Sequence, residues 1–124
     1  MRVTRIYADR DGESHFAELD IPLKHAGDIG ALSERYPVQH IIFRETDGDY
    51  NYTWHNAPAR QFMLMLDGSV EIEVSDGARR TFHSGDILLL ENTTGRGHVS
   101  RAVNEQPRKC VFVTIAQHVA VPED

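Results

Sequence analysis

The sequence predicts an all-β chain closed into one sandwich or barrel, and three observations carry that prediction. Short apolar runs recur about every 8–12 residues. Turn formers such as Asp9-Arg10-Asp11-Gly12, Asp67-Gly68 and Ser75-Asp76-Gly77 separate them. Strands do not alternate with long helices, as they would around a parallel sheet.

In chain order, Val3 to Tyr7 is expected as a short edge strand ending at the Asp9–Gly12 turn. His15 to Ile21 follows as a second strand, closed by Pro22, which cannot donate to a ladder. Ile29, Leu32 and Tyr36 stand at roughly helical spacing between Lys24 and Tyr36, so one short helical turn is expected there despite two glycines. Pro37 starts the next strand, where Val38, His40, Ile42 and Arg44 alternate with Gln39, Ile41 and Phe43. After the Asp47-Gly48-Asp49 turn, Tyr50 to Leu66 reads as one long strand bent at Pro58. Asp67-Gly68 is a hairpin turn, and its return strand sets Val70, Ile72 and Val74 against Glu71 and Glu73, one face core and one solvent. Arg79 to His83, the apolar run Ile87 to Leu90, His98 to Val103 and Cys110 to Ala116 complete the set, with Glu91 to Gly97 and Asn104 to Arg108 as connections.

With 124 residues the chain is expected to form one domain over 1–124, with room for a single core. Its 19 acidic and 13 basic residues leave a formal charge of -6, which argues against a nucleic-acid footprint and against anionic membranes. No window approaches the roughly 18 apolar residues of a membrane span, and the first residues lack a secretory apolar run, so a cytoplasmic protein is expected. The lone Cys110 sits in an apolar run and reads as a buried, inert thiol in a reducing compartment. The expected partner is a small molecule.

Two stretches hold the candidate chemistry. The first, Gly48 to Gly68, carries His55, Asn56, Ala57 and Gln61; the second, Gly85 to Val103, carries Gly85-Asp86, the apolar run Ile87–Leu90 and a TTGRGH segment ending at His98. Together they resemble the two sequence motifs of the cupin superfamily, and the TTGRGH form looks like a subgroup of small single-domain bacterial cupins. The resemblance implies a jelly-roll barrel with its pocket inside. In that family the first motif has a His-x-His pair and a glutamate; here Ala57 replaces the second histidine and Gln61 the glutamate, so the first motif is degenerate. The loop Glu91–Gly97 is two residues longer than the common pattern and lacks its proline.

Alternation points to the same pocket. If the strand keeps its parity through Pro58, then His55, Ala57, Ala59, Gln61, Met63 and Met65 share the inner face, polar groups converging on an apolar wall. Phe62, Leu64 and Leu66 fall outside, where a second subunit in a two-fold homodimer, or the chain's own N-terminal strands, would cover them. Three readings of the site follow.

A metal reading uses His55, Gln61 and His98 as ligands for zinc, iron, nickel or copper, with His40 or Glu91 as a fourth donor; the carboxamide of Gln61 is a weaker donor than a carboxylate and offsets no charge. That reading gives an oxygenase, lyase or isomerase. A metal-free reading makes His55 and His98 a catalytic proton-transfer pair, with Gln61 on a ligand oxygen and Arg60 or Arg101 on an anionic group, although parity points Arg60 outward. Metal-independent epimerases and isomerases of nucleotide-linked sugars resemble this scheme. The third reading is a non-catalytic metabolite-binding or sensor protein in which His55 and His98 are satisfied pocket histidines; the expected ligand contacts of the pocket are His40, Gln61, Met63 and Met65. Asn92, Thr93 and Thr94 read as turn formers, and Gly95 and Gly97 would let the loop move as a lid.

Overall fold

A computed structural model describes residues 1–121; residues 122–124 of the expected domain lie outside the described residues. Among the described residues the chain forms β1 (Arg2–Ala8), β2 (Ser14–Asp20), β3 (Lys24–His25), β4 (Ala31–Leu32), β5 (His40–Thr46), β6 (Asn51–His55), β7 (Gln61–Asp67), β8 (Val70–Val74), β9 (Arg79–Phe82), β10 (Ile87–Leu90), β11 (His98–Ala102) and β12 (Arg108–Thr114). The expected helical turn is a 3₁₀ turn, Gly27–Ile29, inside the β3–β4 hairpin. No helix among the described residues is long and apolar enough to cross a membrane.

Two sheets make the jelly roll. One has six strands in the order β2-β1-β10-β7-β12-β5, the other four in the order β6-β11-β8-β9. They lie face to face without closing on each other, and β5 and β6, joined by one short turn, form facing edges.

Two sequence expectations change. First, β1 is an interior strand, antiparallel to β2 and parallel to β10, because Val3 and Ile6 are needed in two different cores. Second, the long strand Tyr50–Leu66 is two strands in different sheets. The chain leaves β6 at His55, crosses over residues 56–60, and enters β7 at Gln61. Pro58 cannot donate to a ladder, so the break falls where the sheet must be exchanged.

Period-two burial then sorts the side chains. Between the sheets lie Ile6, Met63, Met65, Val70, Ile72, Val74, Phe82, Leu88, Leu90, Cys110 and Phe112. On the outer face of the six-stranded sheet, Val3, Leu19, Ile21, Leu89 and Ile115 bury part of Phe62 and Tyr36. The run Ile87–Leu90 is apolar throughout because β10 has a core on each face: Leu88 and Leu90 point inward, Leu89 outward. The chain's own N- and C-terminal segments therefore cover Phe62, but Leu66 stays 57% exposed.

Residues 22–35 form an arm that is exposed throughout. Its hairpin pairs only with itself. Ile29 is 73% exposed, and on the adjoining β5 Phe43 is 76% exposed.

Candidate functional site

The cavity opens between the β5 and β6 edges and holds about 340 Å³. Seven strands contribute to it: Ile42 and Arg44 from β5, Tyr52 and His55 from β6, Gln61 and Met63 from β7, with Ile72, Leu90, Ser100, Arg108 and Phe112 behind them. His98 completes the wall.

The two motif histidines are cross-strand neighbours, since β11 pairs with β6 so that His98 stands opposite His55. Their ring centroids are 4.4 Å apart with planes tilted by 58°. Tyr52 stacks on the other side of His55 at 3.9 Å, nearly parallel at 8°. Each imidazole is fixed through Nδ1. His55 Nδ1–H donates to the Thr53 carbonyl at 2.6 Å, so a neutral His55 ring has its lone pair on Nε2. His98 Nδ1 accepts from Asn92 Nδ2 at 2.7 Å, so a neutral His98 ring carries its proton on Nε2. Burial, and then the neighbouring His55, push the pKa of His98 down to about 4. His98 is thus neutral at physiological pH, and its Nε2–H is placed to donate a hydrogen bond while Nε2 of a neutral His55 can accept a proton.

Asn92 was legible only as a turn former. Its side chain is instead wholly buried, and its Oδ1 has no partner among the described residues. The polar residue sitting six positions before His98 in a glycine-bracketed loop was the available signal. The loop itself is pinned. Arg96 N–H donates to Gly12 O at 2.8 Å, Ser14 Oγ donates to Gly97 O at 2.7 Å, and Asn56 reaches Gly95 O. A Cβ on Gly95 would collide with the Gly12 backbone, and one on Gly97 with the His55 backbone. These glycines serve close approach, which replaces the expected lid hinge.

Of the other expected contacts, Gln61 and Met63 are buried in the cavity wall and Ala57 lines it too. Met65 lies deeper, in the core cluster and outside the cavity lining. His40 is exposed at the end of β5, its Nδ1 3.4 Å from Thr114 Oγ1, and does not line the cavity. Arg60 does face outward as parity requires, yet it is buried. Its Nε meets Glu91 at 2.7 Å and its NH1 donates to the carbonyls of Ala116 and Val119. Glu91 also pairs with Arg5, so it is committed away from the site. Arg101 is held by Glu71 and Glu73. The arginines that reach the cavity are Arg44 and Arg108, and the inward parity of Ile42 and Arg44 in β5 was the signal for the first.

As a metal centre the donor set fits poorly. It offers two imidazoles and one carboxamide, and no three His, Cys, Asp or Glu side chains converge among the described residues. The Asn92 amide hydrogen also holds the His98 proton on Nε2, the reverse of the arrangement in which a ligating histidine donates its second N–H outward.

The folded chain resembles solved structures. It matches a Cupin 2 conserved barrel domain protein from Salinispora arenicola CNS-205 with a TM-score of 0.50 and 22% identity, over 62% of each chain. The chain has the cupin fold. The crystal structure of protein NMB1881 from Neisseria meningitidis also matches, with a TM-score of 0.50 and 16% identity over 66% of this chain and 84% of that one. No protein-family model matches, and no curated protein does. At these identities the likeness is one of fold, and the cupin barrel here is known by its own cavity.

Proposed function

We propose that this cupin barrel binds a small carbonyl compound and moves a proton on it, without a metal, as an isomerase-type enzyme. The observation that carries the reading is two neighbouring imidazoles in one cavity whose Nδ1 atoms are held by different partners, His55 by the Thr53 carbonyl and His98 by the Asn92 amide nitrogen. His55 Nε2 takes the proton from a carbon next to the carbonyl and, as the imidazolium, returns it to the neighbouring carbon of the enolate, while the neutral His98 Nε2–H and Gln61 hydrogen-bond the enolate oxygen. Tyr52 and the wall of Met63, Ile72 and Leu90 keep the ligand's apolar part out of water.

The same reading has the chain act as a two-fold homodimer in the cytoplasm. Its support is the exposed Ile29 and Leu32 of the arm and the exposed Ile41 and Phe43 of β5, apolar surface that a second copy would bury. The free, buried Cys110 agrees with a reducing compartment.

The test is solvent deuterium exchange, followed by ¹H NMR, across a panel of ketones, 2-oxo acids and 3-oxo acids. The parent should speed loss of the hydrogen beside the carbonyl in at least one compound, and His55→Gln and His98→Gln should each remove the acceleration. Saturable binding with no exchange anywhere in the panel would make the protein a sensor. Exchange that requires a stoichiometric transition metal would restore the metal reading.

A further inference from the structure

Among the described residues, two arginines and no carboxylate line the cavity. Arg44 and Arg108 both line it, and none of its lining residues is an aspartate or glutamate. Acid is not scarce in this chain, which has 19 acidic residues against 13 basic ones. Elsewhere arginines are paired, Arg60 with Glu91, Arg80 with Glu18, and Arg101 with Glu71 and Glu73.

Arg108 is the anomaly. It is 4% exposed, and its Nε and NH1 have no hydrogen-bond partner among the described residues. Its guanidinium lies 4.8 Å from the centre of the Tyr50 ring, and Arg44 lies 5.0 Å from the same ring. A shared aromatic ring offsets part of the charge of a cation but not the mutual repulsion of two. Burial, and then the charge of Arg44, lower the pKa of Arg108, as expected for a cation without a counter-ion. A buried, unpaired charge costs several kcal/mol unless something pairs with it. That uncompensated charge stands at the wall of the cavity, which Arg108 and Arg44 both line.

We propose that Arg44 and Arg108 form an anion clamp, and that the ligand of this cavity is a small organic carboxylate. The guanidinium fork matches the two oxygens of a carboxylate. The rest of the ligand then lies along Met63, Ile72, Leu90 and Phe112 toward the histidines, so its body is apolar and short enough for about 340 Å³. The assignment rests on reading this cavity as a small-molecule site, and does not depend on whether the histidines transfer a proton.

Thermal unfolding at constant ionic strength tests it, with 4-methyl-2-oxopentanoate as probe, its neutral amide as control, and inorganic phosphate as the rival anion. The acid should raise Tm saturably in the parent and the amide should not. Arg44→Gln should weaken the acid by about tenfold, the loss expected for one charge-assisted hydrogen bond. Arg108→Leu should abolish the effect while leaving the ligand-free protein at least as stable as the parent, because it removes an uncompensated cation. His98→Gln should still respond to the acid, so exchange retained in that variant would overturn the proton-transfer reading and leave the clamp standing. Equal effects of acid and amide, stabilisation by phosphate alone, no response to either acid or phosphate, or an acid response unchanged in Arg44→Gln would each overturn the clamp. So would a ligand-free Arg108→Leu protein several degrees less stable than the parent, since that result makes the arginine structural.

Discussion

Replacing Arg60 by Met should loosen the C-terminal segment from the barrel while leaving the cavity intact. The guanidinium makes an ion pair with Glu91 at 2.7 Å and donates to the carbonyls of Ala116 at 3.1 Å and Val119 at 2.5 Å, all at a site where Arg60 is 8% exposed. Methionine keeps the apolar stem and loses every one of these bonds, although Glu91 retains Arg5. Breaking a buried pair costs about 3–5 kcal/mol when its partner is stranded; with Glu91 still paired, a loss of roughly 3 kcal/mol is expected. On a urea slope of roughly 1.5 kcal/mol per M, that moves the unfolding midpoint down by about 2 M. Amide exchange should also quicken at Ile115, whose N–H donates to the Arg60 carbonyl, and at Val119. A midpoint within about 0.3 M of the parent's, the scatter expected of a neutral surface change, would refute the reasoning.

Three further outcomes follow. Gly97→Ala, at a φ of 81° with its new Cβ driven into the His55 backbone, should cost roughly 2 kcal/mol in urea unfolding and shift the His55 and His98 ring resonances together. His15 lies between Asp9 at 2.7 Å and Asp76 at 2.8 Å; the hydrogen bond to Asp9, then that to Asp76, raise its pKa, while His15 lowers that of Asp9, and the Ala78 N–H followed by His15 lowers that of Asp76. The stability it adds is therefore full below about pH 6.5 and lost as pH rises through its folded pKa, while the carboxylates' share is lost as pH falls through theirs; unfolding of His15→Gln should differ most from the parent near pH 5 and converge with it in alkali. Phe43→Asp, on the exposed β5 edge, should convert a dimer to a monomer in sedimentation velocity, and a parent that already sediments as a monomer would remove the dimer.

How much of this was legible from the sequence depended on the range of the contacts involved. The inner face of β7 was legible because Gln61, Met63 and Met65 alternate with Phe62 and Leu64 on a strand whose two faces differ. The turn Asp67-Gly68 was legible for the same local reason, since Gly68 has a φ of 77°. The exchange of sheets between His55 and Gln61 was not, because both halves keep the same parity and only their partners differ. Nor was the interior place of β1, whose parallel neighbour β10 is more than eighty residues away.

The site shows the same division. His55 and His98 could be paired from the motif spacing, and the small Ala57 beside them fits the wall. Asn92 escaped because an asparagine among Thr93, Thr94 and Gly95 has the composition of a turn, while its burial is decided by the packing of the loop against Gly12. Arg44 and Arg108 escaped because their meeting needs β5 beside β12, a pairing of residues about sixty apart. Arg60 and Arg101 were nearer to the motifs in sequence, yet each had an acidic partner waiting on its own outer face.

The protons on His55 and His98 distinguish a proton-transfer pair from a metal centre, and long-range ¹H–¹⁵N correlation of the imidazole rings reads them without any ligand. With both rings neutral, His55 should show a protonated Nδ1 and a bare Nε2, His98 the opposite, and one equivalent of zinc should leave both patterns unchanged. A His98 ring protonated at Nδ1, or zinc shifting both rings at once, would contradict the account.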